Sequence, residues 1–96
     1  MIWPAVVEKP PAQYIPAPSE MDRSVEKWLS PSEASRVCTL WIGPPPYGRG
    51  YDGCYVPNLD LIYMRNDWPA NATEALRIHE HAHRARGWRH SYERSW

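Results

Sequence analysis

The sequence predicts a small α+β domain with a twisted sheet of about three strands and one long C-terminal helix. Three observations carry that prediction. Ten of the eleven prolines fall at or before Pro57, so turns and extended segments crowd the front of the chain while the tail is free to be helical. Short β-branched and aromatic runs occupy the middle, and a helical period with a glycine stop closes the chain. Ninety-six residues supply one hydrophobic core and leave no room for two, so positions 1–96 are read as a single domain.

Residues 1–18 are rich in proline and show no helical period, which describes an extended arm lying over the core, with a short strand near Ala5–Val7. Ser19 and Asp22, followed by Met21, Val25, Trp28 and Leu29 at helical spacing, predict an amphipathic helix of about ten residues. Ser30-Pro31-Ser32-Glu33 is a capping box with proline at the first helical position, so a second short helical turn starts there. The run VCTLWI at 37–42 is expected to be a buried strand, because it is β-branched and aromatic and stops at Gly43-Pro44-Pro45-Pro46. The segment 43–53 that follows reads as a connecting loop. Cys54–Val56 and Leu61–Arg65 read as a hairpin, with Leu61, Tyr63 and Arg65 on one face and Ile62 and Met64 on the other. Asn71, with Glu74 three residues on, marks the start of a helix over 72–86, and Gly87 is its expected left-handed stop. Along that helix Ala75, Ile78, Ala82 and Ala85 form a narrow stripe suited to close packing on the sheet.

Charge excludes some partners. Eleven basic residues balance eleven acidic ones, which provides no field to draw in nucleic acid or an anionic membrane. No run is long and apolar enough to span a bilayer, and the first residues lack the pattern of a secretory signal. The expectation is therefore a cytoplasmic protein with neither a nucleic-acid nor a membrane partner. Cys38 and Cys54 allow one bridge closing about fifteen residues, worth about 3 kcal/mol in the chain-entropy model; a reducing compartment would keep them as thiols.

All four histidines lie between positions 79 and 90. His79 and His83 stand at i and i+4, so both imidazoles leave one face of the helix and can share a metal ion, with Glu80 beside them. Zinc held by neutral imidazoles lowers the pKa of a bound water toward ~7, and a neighbouring carboxylate can accept that water's proton. Two nitrogens make a weak site. An αL glycine at 87 turns the chain so that His90, three residues on, can swing back as a third ligand. His81 points away from His79 and reads as a surface or supporting residue, and the arginines at 77, 84, 86, 89 and 94 read as a solvated helix face. Tyr63, Trp88 and Tyr92 are the aromatic side chains nearest the site in sequence and are the candidates for substrate contact.

The motif His79-Glu80-x-x-His83, followed by Gly87-Trp88 and His90, resembles the zincin metallopeptidases, in particular small zincin-like proteins of phages and bacteria. The likeness covers roughly residues 54–90, the expected metal-site core. It implies a zincin-like domain with Zn²⁺ on His79, His83 and His90, Glu80 as the catalytic general base, and a peptide or protein substrate lying along an edge strand, a place Leu61–Arg65 would fill. The spacing departs from the extended metzincin motif by one inserted residue before Gly87. Only Ser-Tyr-Glu-Arg-Ser-Trp follows His90, so the walls that such enzymes build after the third histidine are expected to be missing. The function read from these residues is zinc-dependent peptide-bond hydrolysis. Two alternatives stay open: a zincin-like module that binds zinc and a protein without turnover, and a structural zinc domain closed by Cys38, Cys54, His79 and His83.

Overall fold

A computed structural model describes residues 2–45 and 48–90. Three 3₁₀ turns, Ala12–Tyr14, Pro18–Glu20 and Arg23–Val25, lead into strand β1 (Glu26–Leu29), helix α1 (Pro31–Ile42), strands β2 (Gly53–Val56) and β3 (Leu61–Arg65), and helix α2 (Ala70–Arg86). The three strands form one mixed sheet in the order β1-β3-β2. β1 runs parallel to β3 and β2 antiparallel to it.

The hairpin forms as its alternation dictates. Ile62 and Met64 are fully buried and pack with Val7, Ala75 and Leu76 under α2. The opposite face carries Cys54 and Val56, which pack with Cys38 of α1 and with Tyr51, with Tyr63 alongside. The sheet is thus covered by α2 on one side and by α1 on the other. A disulfide joins Cys38 to Cys54, with Cα atoms 5.9 Å apart, and ties α1 to β2.

Three expectations are corrected. The segment 37–42 is not a strand but the second half of α1. Ser30 Oγ accepts from the Glu33 N–H at 3.3 Å and Pro31 occupies the first turn; nothing breaks the helix before Gly43, whose φ of 93° ends it. Ala34 and Cys38, four apart, then bury one helical face, and that packing overrides the β propensity of the run. The predicted helix after Ser19 is instead two 3₁₀ turns and β1, because the Asp22 carboxylate accepts from the Ser24 N–H at 2.8 Å and fixes a turn. Residues 26–29 then find a parallel partner in β3. The sheet therefore has the expected number of strands with β1 in place of 37–42. Finally, Ala5–Val7 is a turn and not a strand, closed by Val7 N–H to Pro4 O at 3.3 Å and by Trp3 Nε1–H to Val7 O at 2.6 Å. The arm does lie over the core, since Val7 and Pro10 are buried.

Helix α2 starts at Ala70, two residues before the expected position. Asn71 is not its cap; Pro69 precedes the first turn and the Thr73 hydroxyl donates to Trp68 O at 3.0 Å. Gly87 ends the helix at φ 66°, ψ 23°, as its sequence position predicts.

Between α2 and β1 lies a buried ionic cluster. Arg77 Nε–H donates to Glu26 Oε2, Arg77 Nη2–H donates to Met21 O at 2.9 Å, and His81 Nε2–H donates to the same Glu26 oxygen at 2.8 Å. Arg77 is therefore not part of a solvated face, and His81, expected at the surface or as a supporting residue, is buried and joins it in holding β1 against the helix. Burial keeps the His81 imidazole below its ordinary pKa against the pull of Glu26. Arg84 and Arg86 do lie toward solvent, paired with Asp60 and Glu20.

Two outcomes follow from this packing. Arg77→Met removes the buried cation beside the Glu26 carboxylate, whose side chain is 1% exposed, and leaves it the His81 donor, so urea denaturation should show a loss of about 3–5 kcal/mol; a loss below about 1 kcal/mol would contradict the assignment. Cys38→Ser with Cys54→Ser should lower stability by about 3 kcal/mol, the loop-closure entropy of the crosslink, and an unchanged urea midpoint would count against it.

Candidate metal centre

Residues 79 and 83 leave the same face of α2, and the αL conformation of Gly87 turns the chain back across it. Gly87 N–H donates to His83 O at 3.2 Å and Trp88 N–H to Ala82 O at 3.3 Å, which folds residues 88–90 under the end of the helix. His90 arrives beside the other two. One ring nitrogen from each of His79, His83 and His90 lies within 4.8 Å of the others, and all three residues are buried. Ring centroids are 5.0 Å apart for His79 and His83, 5.2 Å for His79 and His90, and 4.9 Å for His83 and His90.

Hydrogen bonding sets the tautomers. His79 Nδ1–H donates to Glu8 O at 2.7 Å and His83 Nδ1–H to Trp88 O at 2.7 Å, and a carbonyl oxygen can only accept. His90 Nδ1–H donates to the Glu8 carboxylate at 2.8 Å. Each neutral ring then carries its lone pair on Nε2, the form a metal needs. Three nitrogens on one tetrahedral ion stand roughly 3.3 Å apart, so small ring rotations bring this set onto a single ion. The donors fit a divalent metal that favours imidazole.

Glu80 is fully buried, and neither carboxylate oxygen has a hydrogen-bond partner among the described residues. Burial, reinforced by the negative charge of Asp52, pushes its carboxyl well above the ordinary carboxylate range. A dication held at the triad would act in the opposite direction. Gly53 fits this close packing: a Cβ there would come within 2.9 Å of Tyr63 O of β3 and 3.3 Å of Glu80 Oε2, so a side chain would press on the β3 backbone and crowd the carboxylate. A cavity of about 180 Å³ reaches this group, lined by Glu80, His79 and His90 together with Val6, Val7 and Glu8 of the arm and Pro45, Arg49, Gly50, Tyr51 and Asp52 of the loop before β2. Asp52 is fixed there by Arg65 Nη1–H at 2.8 Å.

The predicted residues divide clearly. His79, His83 and His90 come together, with Glu80 on the wall of the same cavity. Trp88 is a buried neighbour of the ligands and not part of the cavity wall: its ring stacks on His83 at 4.7 Å and 8°. Tyr63 packs with the Cys38–Cys54 cluster on the other side of the sheet, so it cannot touch anything held at the triad. β3 is the central strand, both of whose edges are taken, and the expected peptide-binding edge at Leu61–Arg65 is corrected accordingly; β2, which carries Gly53, is the edge strand beside Glu80. Tyr92 lies outside the described residues. The bridge between Cys38 and Cys54 removes both thiols from any four-ligand zinc site, so that alternative is overturned.

Sequence reasoning missed Glu8, Gly53 and Asp52. No spacing rule relates them to the motif, since they reach the site from the arm and from the loop before β2. Among the described residues no helix is long and apolar enough to cross a membrane. Compared with protein-family models, with curated proteins and with solved structures, the chain matches none.

Proposed function

We propose that this protein is a zinc-dependent peptidase of the zincin kind. The reading rests above all on the convergence of His79, His83 and His90 with the Glu80 carboxylate, which has no hydrogen-bond partner among the described residues, on the wall of the adjoining cavity. Zinc at the triad would acidify a water and polarise a substrate carbonyl. Glu80 accepts the proton of the attacking water and returns it to the departing amine, and its dry surroundings strengthen both transfers. The cavity walls that zincins build after the third histidine are supplied by the arm and by the disulfide-closed loop, through Val6, Val7, Pro45 and Tyr51. Their apolar surface beside the reacting group suits a peptide side chain.

Zinc loading of chelator-stripped protein should give one ion per chain by elemental analysis, reduced to near zero in the His79→Ala/His83→Ala double variant. His90→Ala should weaken binding at least about tenfold, and the Cys38→Ser/Cys54→Ser variant should still bind. Wild-type binding by a protein in which His90→Ala changes nothing would remove His90 from the ligand set.

Glu80→Gln keeps the size of the side chain but cannot take a proton. Zinc should remain bound while cleavage of a mixed peptide library, followed by mass spectrometry, falls by roughly 10²–10⁴-fold. Cleavage at the wild-type rate would reject the mechanism. A zinc-loaded wild type that cuts nothing would instead favour the binding module without turnover.

A further inference from the structure

The N-terminal arm touches the metal centre twice through one residue. Glu8 offers its main-chain oxygen to His79 Nδ1–H at 2.7 Å and its carboxylate to His90 Nδ1–H at 2.8 Å. The two histidines come from α2 and from the turn after it, 71 and 82 residues away in sequence. Few single residues are placed to orient both.

The placement is held from both sides. Val7 is buried in the core with Ile62, Met64, Ala75 and Leu76, and the Trp3 indole donates to Val7 O at 2.6 Å. Pro10 is fully buried on the other side and fixes the backbone direction. Between these anchors Glu8 has little freedom to slide, although its side chain is 55% exposed and contributes nothing to the apolar core. The exposed carboxylate reaches inward to a wholly buried imidazole, and by accepting its Nδ1–H it also fixes the direction in which that ring faces.

Resting on the metal-centre reading above, we infer that Glu8 is a positioning residue of that centre. Its carboxylate fixes the His90 ring with Nε2 toward the ion and raises the basicity of that nitrogen, while its carbonyl does the same for His79. The arm is therefore a working part of the metal site and not a cover laid over a finished one. Loss of such a partner usually costs about tenfold to a hundredfold in metal affinity.

The test compares wild type, Glu8→Ala and Glu8→Gln by competition for Zn²⁺ against a chromophoric chelator, and by the visible absorption of the Co²⁺-loaded proteins. Glu8→Ala should lose about tenfold to a hundredfold in zinc affinity and shift the Co²⁺ bands, because His90 is no longer held. Glu8→Gln, whose amide oxygen can still accept from His90, should recover much of the loss. The metal-free proteins should stay folded, with Glu8→Ala melting only slightly below wild type because the buried His90 Nδ1–H loses its acceptor. Glu8→Ala within twofold of wild type, equal losses in the two variants, or a metal-free Glu8→Ala protein that melts well below wild type would each overturn the assignment. A wild type that binds neither ion defeats the metal-centre reading itself, whereas a wild type that binds and a Glu8→Ala variant that matches it defeat this inference alone.

Discussion

Helix α2 buries Arg77, His79, Glu80, His81 and His83, and a buried polar group left without a partner costs about 1–3 kcal/mol. Much of the remaining architecture serves that constraint. β1 brings Glu26 to Arg77 and His81; the arm brings Glu8 to His79; the turn at Gly87 brings the Trp88 carbonyl to His83. A helix with an apolar stripe could pack on a sheet in several registers. This one is pinned, because each polar side chain finds its partner in only one.

Glu80 is the exception within that scheme. Every other buried polar residue of α2 has a neutral or charged partner at hydrogen-bond distance, and Glu80 has none among the described residues. Such a group calls for an explanation, and the proposed proton transfer supplies one. Gly53 lies against the group: a Cβ there would meet the Tyr63 main-chain oxygen at 2.9 Å and the Glu80 carboxylate at 3.3 Å, so the strand carries glycine at this point although glycine weakens a strand.

Local signals were read well where they agreed with one another. The hairpin alternation, the left-handed Gly87 and the i, i+4 histidines each have a period or a backbone requirement that tertiary contacts do not alter, and His90 followed from the turn chemistry. The β propensity of 37–42 points to a strand, whereas the Ser30 cap and the absence of any break before Gly43 carry the helix through it. β1 was missed for the opposite reason: Glu26 in a strand makes sense only once Arg77 and His81 face it, and such a partnership across fifty-one residues leaves no local trace. Glu8 is of the same kind. It stands in an arm whose prolines show only that the segment is extended, not what it touches.

The contact between Glu8 and His90 closes a ring of nearly the whole chain, 82 residues from one partner to the other. Loop closure of that length is among the last events of folding, since its entropic cost must be met before any reward arrives. Glu8 meets His90 only once the arm, α2 and the turn after it have come together. During synthesis no emerging fragment short of residue 90 contains all three ligand histidines. An ion that needs all three of these nitrogens would therefore join a finished fold and not template one.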